Sequence, residues 1–351
     1  MNDTMQNSRV ISETCRKLLP YFMIGRGVGP VAYQAIFDLC RKLGHLEPGA
    51  AAARLHEKGL ENAARAIESV DSWDSLEDLA SKQIDEAASA DARIICELDS
   101  EYPELLRQTG TDSPGFLFVR GRLAPDGMRS IAVIGTRKPT DHGRIIAQRL
   151  TQHLAGQGVS IVSGLALGCD AIAHKTALDS GAHTVAVLAH GLQTIAPKEN
   201  RELAERIVES GGALVSPFPF GMFPTQTSYA TRDKYQAGMS QAVVMIQSTL
   251  SGGSLYASLR ALHYGRRLIV PYPTAQDLAN NQESVAANLT LASMDAETII
   301  DTLKQAGRQI VQKDIREGVR SILVLKSRSD YPKMFTAEVS AVQPREQADL
   351  F

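Results

Sequence analysis

Small and basic residues cluster at two turns in the middle of the chain. Gly135-Thr136-Arg137-Lys138 follows the apolar run 130–134, and Ser163-Gly164 follows the run 159–162. Both runs are short and rich in β-branched residues, which predicts buried strands. Backbone N–H groups at such turns, and at the start of the helix after each turn, are suited to binding phosphate. Because two cations stand beside the first turn, the pattern predicts a phosphate-binding site.

A third small-residue loop, Ser251-Gly252-Gly253-Ser254, precedes a predicted helix over 254–264 and has the same phosphate-binding potential. It partly resembles the Pro-Gly-Gly-x-Gly-Thr-x-x-Glu loop of nucleotide phosphoribohydrolases. That loop carries a catalytic glutamate, whereas residues 254–258 contain no carboxylate to act as acid or base. His174 and Asp170 lie four residues apart on one predicted helix, a spacing that favours a mutual hydrogen bond or a helix cap. No G-x-G-x-x-G motif is present. The sequence therefore predicts neither catalytic residues nor a cofactor.

Strands and helices alternate from residue 93 onward. Strands are predicted at 93–97, 116–120, 130–134, 159–162, 184–188, 213–215, 242–246 and 268–270. Helices are predicted at 141–157, 169–180, 199–210, 231–239 and 254–264. This alternation predicts the α/β class, with a Rossmann-like, doubly wound, mostly parallel sheet covered on both faces. The Gly-rich turns then fall at the carboxyl ends of strands, where open α/β sheets bind their ligands.

Six motifs of the sequence match those of one known family and occur in the same order along the chain. They are Asp99–Leu106, Phe116–Gly121, Ile134–Arg137, Ser163–His174, Pro197–Leu203 and Gly253–Leu255. Together they resemble the DNA-processing protein family usually called DprA or Smf, over residues 93–275. The resemblance implies a non-catalytic protein that binds single-stranded DNA and assists loading of the RecA recombinase in DNA uptake (natural transformation) or recombination. It also implies a homodimer formed through the Rossmann domain.

The chain departs from this family in one stretch of the basic pocket. Before Ala237-Gly238 the family usually has three arginines and an asparagine, whereas this chain has Thr231-Arg232-Asp233-Lys234. Fewer phosphate contacts predict weaker DNA binding with a flatter salt dependence. The same departure leaves open a specialised relative, a regulatory or antitoxin protein of a defence pair that acts through protein contact or nucleotide binding. The DNA or phosphate contacts expected from the motifs are Gly135, Thr136, Arg137, Lys138, Ser163, Gly164, Lys175, Arg232, Lys234, Gly253 and Ser254.

The resemblance and the sequence pattern together predict four parts. Residues 1–90 are expected to form a helical domain, 91–290 the Rossmann-like DNA-binding domain, 291–342 a small C-terminal extension and 343–351 a mobile tail. In the first part, Gly27-Val28-Gly29-Pro30 resembles the hairpin of helix–hairpin–helix modules, in which backbone N–H groups meet a DNA phosphate. A tight turn between packed helices explains the same residues equally well.

Composition and cysteine spacing predict the compartment. The chain has 351 residues and a formal net charge of −2, which argues against a histone-like nonspecific binder. Its four cysteines are scattered without a C-x-x-C pair, so neither a zinc site nor a disulfide framework is expected. No apolar run approaches membrane-spanning length. A cytoplasmic protein without a membrane partner is therefore predicted.

The last five residues, Gln347-Ala348-Asp349-Leu350-Phe351, resemble the bacterial sliding-clamp binding peptide. Leu350 and Phe351 form an apolar pair on a polar tail, and Gln347 could fix the register by hydrogen bonding. The alternative is that the pair folds back onto the protein's own surface. Position at the very end of the chain favours the clamp as a possible partner.

Overall fold

The computed structural model describes residues 10–335 except 26 and 45. These residues divide into two compact units. The first comprises residues 10–121, 188–194 and 215–223, and the second comprises 122–187, 195–214 and 224–335. The tail over 343–351 and the clamp-like peptide with Gln347, Leu350 and Phe351 fall beyond residue 335, outside the described residues.

The first unit begins with five helices. They are α1 (Glu13–Met23), α2 (Pro30–Leu43), α3 (Pro48–Glu57), α4 (Glu61–Glu68) and α5 (Trp73–Ser89). The predicted hairpin leads into α2, which starts with Pro30 in its first turn and ends at Gly44 in the left-handed conformation. An antiparallel pair follows, β1 (Ala92–Cys96) and β2 (Phe116–Gly121), with the short helix α6 (Glu104–Arg107) between them.

The second unit is built on a parallel sheet. Its strands are β3 (Ser130–Ile134), β4 (Ser160–Ser163), β5 (Thr184–Val187), the first two residues of β6 (Ala213–Ser216), β7 (Ala242–Met245), β8 (Arg267–Pro271) and β9 (Ile322–Leu325). They stand in the order β6-β5-β4-β3-β7-β8-β9. The paired strands from β5 to β9 all run parallel. The chain thus builds one half of the sheet outward from β3 and then returns to add β7 on the other side.

Helices connect these strands. They are α7 (Asp141–Gly156), α8 (Cys169–Asp179), α9 (Arg201–Glu209), α10 (Gln226–Gly238) and α11 (Gly253–His263). After β8 come α12 (Ala275–Ala279), α13 (Ala286–Leu291), α14 (Ala296–Gln305) and α15 (Gln312–Gly318). The α7 helix starts at Asp141, as expected, with Thr140 as its cap. One boundary differs from the sequence expectation: α10 starts at Gln226 rather than near residue 231, because Thr225 and Ser228 form a capping box.

One face of the sheet carries a continuous apolar core. Val133 and Val244 from the central strands pack with Leu150 and Leu154 of α7 and with Ala173 of α8, all of them buried. Two of the connecting helices, α10 and α11, pack against each other. The prediction of a Rossmann-like, doubly wound, mostly parallel sheet preceded in the chain by a helical region is therefore confirmed. Within residues 10–335, no helix combines the length and apolar character needed to cross a membrane.

Candidate nucleic-acid interface

The strand order reverses between β3 and β7, and a pocket of about 710 Å³ opens at their carboxyl ends. Such switch points are where open α/β sheets bind ligands, because two neighbouring loops diverge there. The turn after β3, the small-residue loop after β7 and α10 all contribute to the lining. Of the residues expected from the sequence, the lining includes Gly135, Thr136, Arg137, Lys138, Arg232, Gly253 and Ser254. Ser163, Gly164, Lys175 and Lys234 do not line it.

The turn after β3 is tied to the end of β7 by Gln247. The Thr136 N–H donates to the Gln247 carbonyl at 2.8 Å. The Gln247 side chain accepts from the Thr140 N–H at 3.0 Å and donates to the Thr140 hydroxyl at 2.9 Å. Gly143 leaves no room for a Cβ against this amide. Gln247 therefore fixes the position of both loops, although nothing in its sequence context singled it out.

Two exposed cations stand at the mouth of the pocket. Arg137 and Lys138 are both exposed. The Arg137 guanidinium lies 5.1 Å from the centroid of the Tyr229 ring, within cation–π range. Tyr229 and Tyr256 are half-buried and also line the pocket. The mouth thus combines positive charge with aromatic surface.

Arg308 lines the pocket and holds the loop after β7. The Arg308 Nε donates to the Leu250 carbonyl at 2.7 Å, and its Nη2 donates to the Gly252 carbonyl at 2.5 Å. Burial lowers the pKa of Arg308 below its usual value. These bonds hold the loop that leads into the first turn of α11, where Gly253 and Ser254 line the pocket.

Asn288 also holds the loop after β7. It is 1% exposed, and its Oδ1 accepts from the Ser248 N–H at 3.1 Å. Its Nδ2 donates to the Ile246 carbonyl at 2.8 Å and to the Pro271 carbonyl at 3.1 Å. Neither Asn288 nor Arg308 was expected from the sequence, since the groups in the loop after β7 that they bind lie forty or more residues away in the chain.

The turn after β4 has its polar groups already engaged. Ser163 is fully buried, and its hydroxyl donates to the Val133 carbonyl at 2.7 Å. The Asp170 carboxylate accepts from the N–H groups of Gly164 and Ala166, at 3.1 and 3.4 Å. Burial raises the pKa of Asp170 to about 6, although the nearby Arg232 opposes the shift. The structure shows neither contact expected of Asp170: it binds the loop before α8 rather than His174, and α8 has no side-chain cap at its N-terminus. The partner of His174 is instead the Thr184 hydroxyl, at 2.8 Å.

Arg232 forms the inner wall of the pocket. It is 3% exposed and donates through Nη1 to the Gly164 and Val187 carbonyls. Its Nε lies 3.0 Å from the Asp233 Oδ1. Gly164 leaves no space for a Cβ beside this guanidinium. The Arg232 charge is thus directed into the protein and stabilises the turn after β4.

Asp233 stands beside Arg232 on the pocket lining. Its Oδ1 accepts from the Gln236 Nε2 at 3.0 Å. Burial raises its pKa, and Arg232 opposes that shift. Its Oδ2 lies 2.7 Å from where a Cβ on Gly253 would be, so a side chain at position 253 would collide with the carboxylate.

The two remaining lysines of the expected set lie elsewhere. Lys175 is exposed on α8. Lys234 is half-buried on α10, with its ammonium 5.1 Å from the centroid of the Tyr235 ring, and burial lowers its pKa. Among residues 10–335, a group that could hold a metal occurs in the first unit, at Cys15, Cys96 and Asp99, whose ligand atoms lie within 4.8 Å of one another. It is not part of the pocket lining.

The sequence is similar to proteins described as Smf and DprA. Protein Smf of Escherichia coli (strain K12) is 36% identical over 208 residues, which are 59% of this chain and 55% of that protein. The DNA processing protein DprA of Bacillus subtilis (strain 168) is 31% identical over 215 residues, 60% of this chain and 71% of that protein. This chain therefore spans only about half the length of the Escherichia coli relative that it matches.

The solved structure of DNA processing protein A from Streptococcus pneumoniae shares the fold. Its TM-score is 0.64 at 22% identity, and the match covers 86% of this chain and 98% of that one. The model of the family described as DNA recombination-mediator protein A matches residues 93–307. The matched residues include the turn after β3, the loop after β7 and α10, all of which line the pocket. Arg308 lies one residue beyond the match. The chain belongs to the DNA recombination-mediator protein A family, as its motifs predicted.

Proposed function

We propose that this chain binds single-stranded DNA without catalysis at the pocket between β3 and β7. The observation that carries the proposal is the pocket itself, with Arg137 and Lys138 exposed at its mouth and the first turn of α11 facing it. Binding of single strands requires positive groups along the phosphates and faces on which bases stack. Tyr229 and Tyr256 supply such faces in the same lining.

The eleven residues named from the sequence remain the proposed contact set, with different roles. Arg137 and Lys138 would contact phosphates directly, because both are exposed at the mouth. Arg232, Ser163 and Gly164 would act by shaping the wall, since their polar groups already bind within the protein. Lys175 and Lys234 would follow the strand beyond the pocket.

Removing the Arg137 charge tests the proposal. A charge-assisted hydrogen bond is worth roughly 1.5–3 kcal/mol, so Arg137→Ala should weaken binding of an oligonucleotide by roughly ten- to hundredfold. Filter binding across a salt series should also show a flatter slope, because fewer counterions are released. Arg201→Ala is the control, since Arg201 is exposed on α9 and does not line the pocket. Equal affinity and slope for Arg137→Ala and wild type would contradict the proposal.

The family resemblance supports a wider role, in which a cytoplasmic homodimer presents two pockets and helps RecA to assemble on single strands. This role is tested by RecA filament growth on single-stranded DNA coated with a single-strand binding protein. The chain should shorten the lag of filament growth, and Arg137→Ala should shorten it less. An unchanged lag with wild-type protein would contradict RecA loading while leaving DNA binding intact.

A regulatory role is the second candidate, and the composition of the inner wall favours it. Asp233 stands where the family usually has asparagine, and the Arg232 guanidinium is already bound to carbonyls. Both features reduce the positive charge available to a long strand, which suits a single nucleotide or a protein partner better. Binding of a mononucleotide as tight as that of a long oligonucleotide, with no effect on RecA, would favour this candidate.

We also propose that the tail 343–351 binds the sliding clamp through Gln347, Leu350 and Phe351. A short peptide that orders on binding loses entropy, so an affinity on the order of micromolar is expected. Titration of the clamp with full-length chain and with a version lacking Leu350 and Phe351 tests this. Identical signals from the two proteins would contradict it.

A further inference from the structure

One oxygen of the Asp233 carboxylate is free inside the pocket. Oδ1 receives the Gln236 amide at 3.0 Å and lies 3.0 Å from the Arg232 Nε. In the part of the chain that the structure describes, Oδ2 accepts no hydrogen bond. The side chain is 13% exposed, and Asp233 is part of the pocket lining. A carboxylate oxygen has two lone pairs, so Oδ2 can accept hydrogen bonds from a ligand.

The negative charge of Asp233 makes contact between Oδ2 and a phosphate unfavourable. Two carboxylates, Asp170 and Asp233, stand beside the Arg232 guanidinium, which is fixed on the Gly164 and Val187 carbonyls, while the charge of Arg137 also acts on Asp233. A phosphate oxygen at contact distance from Oδ2 would be repelled by a like charge at low dielectric. Phosphates therefore belong at the mouth, beside Arg137 and Lys138. The interior is built for a neutral group that carries N–H donors.

Among the DNA bases, guanine best matches a single carboxylate oxygen. Its N1–H and N2–H donors are adjacent on one edge, so both can point at one acceptor. Thymine offers N3–H between two carbonyls, and these would repel the carboxylate. Adenine and cytosine each offer one amino group beside an acceptor nitrogen. We infer that Asp233 makes the pocket selective for a guanine base in single-stranded DNA, an inference that rests on the proposed DNA binding.

The pocket has the space and the surfaces for this base. Its volume of about 710 Å³ lies within the range that holds small ligands, roughly 300–1,000 Å³. Tyr229 and Tyr256 line it and can stack the base. Gly253 also contributes, because a side chain there would occupy the space next to Oδ2. Asp233 is thus a specificity residue, whereas the cations at the mouth supply most of the affinity.

The test compares oligonucleotides that differ at one position. An all-dT strand, and the same strand with one central dG, dA, dC or deoxyinosine, are titrated against full-length protein by fluorescence anisotropy. The dG strand should bind about tenfold more tightly than the all-dT strand. This factor is at the low end of what a hydrogen bond to a charged group contributes to affinity. Deoxyinosine lacks the 2-amino group, so it should lose most of this gain.

Asp233→Asn should abolish the preference. The asparagine oxygen would take the place of Oδ1, where Gln236 and Arg232 require an acceptor, and its NH₂ would then face the pocket as a donor. Glu283→Gln is the matched control, because Glu283 is an exposed carboxylate in the same lining. It changes the charge equally but should keep the preference for dG. The affinity of each variant for the all-dT strand verifies that the pocket is intact.

The outcomes separate this inference from the function on which it rests. If no oligonucleotide binds, the proposed DNA binding fails and the inference with it. If the all-dT strand binds and the dG strand binds equally, the guanine selectivity is wrong and DNA binding stands. Tighter binding of the dA or dC strand than of the dG strand also overturns it. If Asp233→Asn does not fold, the comparison of dG with deoxyinosine on wild-type protein decides alone.

Discussion

Lowering the pH should destabilise this protein through His174, because its imidazole is buried in the neutral form. The Thr184 hydroxyl donates to the Ile161 carbonyl at 2.7 Å, so it must accept from the His174 Nδ1–H at 2.8 Å. The Nε2 atom is then an acceptor, and it is buried without a hydrogen-bond partner in the described part of the chain. Burial, together with the positive charge of Arg232, lowers the pKa of His174 to about 3.

The size of the effect follows from the difference between folded and unfolded pKa values. In the unfolded chain a histidine has a pKa of about 6.5, so between that pH and about 3 only the unfolded state binds the proton. The stabilisation is complete above pH 6.5 and is lost as the pH falls toward 3. Because pH 5 lies about 1.5 units below the unfolded pKa, the folded state loses about 2 kcal/mol of stability at 1.36 kcal/mol per unit.

Titration of Asp170 changes the stability in the opposite direction, so its contribution must be removed from the measurement. Its pKa is raised to about 6, so it binds a proton in the folded state first and adds stability as the pH falls from 6 toward 4. Subtracting the unfolding free energy of a His174→Asn variant removes this contribution from the comparison. The asparagine amide can still donate to Thr184 but does not titrate.

The assay is urea unfolding of wild type and His174→Asn at pH 7.5 and pH 5. The advantage of wild type over the variant should shrink by about 2 kcal/mol between the two pH values. His56→Asn is a control of opposite sign, because Glu68 and Glu61 raise the pKa of the exposed His56. The amount by which His56→Asn is less stable than wild type should be larger at pH 5 than at pH 7.5. A constant gap between wild type and His174→Asn would refute the argument that His174 is buried neutral.

Two further substitutions test how the loops around the pocket are held. Gly168 has a φ of +78°, and a Cβ there would lie 2.5 Å from two backbone carbonyls. Gly168→Ala should therefore lose about 2 kcal/mol or more, whereas Gly181→Ala, with φ +67° and open space, should lose only about 1 kcal/mol. Asn288→Ala should lose about 3 kcal/mol, because three buried hydrogen bonds at 2.8–3.1 Å disappear. Asn280→Ala, at an exposed position, should change stability by less than about 0.5 kcal/mol. Urea unfolding measures all four, and equal losses within either pair would contradict the corresponding argument.

Local patterns in the sequence were sufficient to predict the sheet and the loops at its carboxyl edge. The β-branched runs at 130–134 and 159–162 are strands, and Gly135–Lys138 leaves the first of them at the pocket. Such predictions succeed because alternation of strand and helix depends on spacing between near neighbours in the chain. The family motifs added the expectation that this edge meets DNA.

The roles of individual residues in the pocket were decided only by tertiary structure. Arg232 and Gly164 had the residue types of phosphate contacts, but one binds backbone carbonyls and the other gives its N–H to Asp170. Asn288 and Arg308 went unnoticed, although they hold the loop after β7. Sequence specifies which groups can donate or accept. The partners of Arg232 and Arg308 come from segments more than forty residues away in the chain, because a buried polar group must bind whatever the fold places beside it.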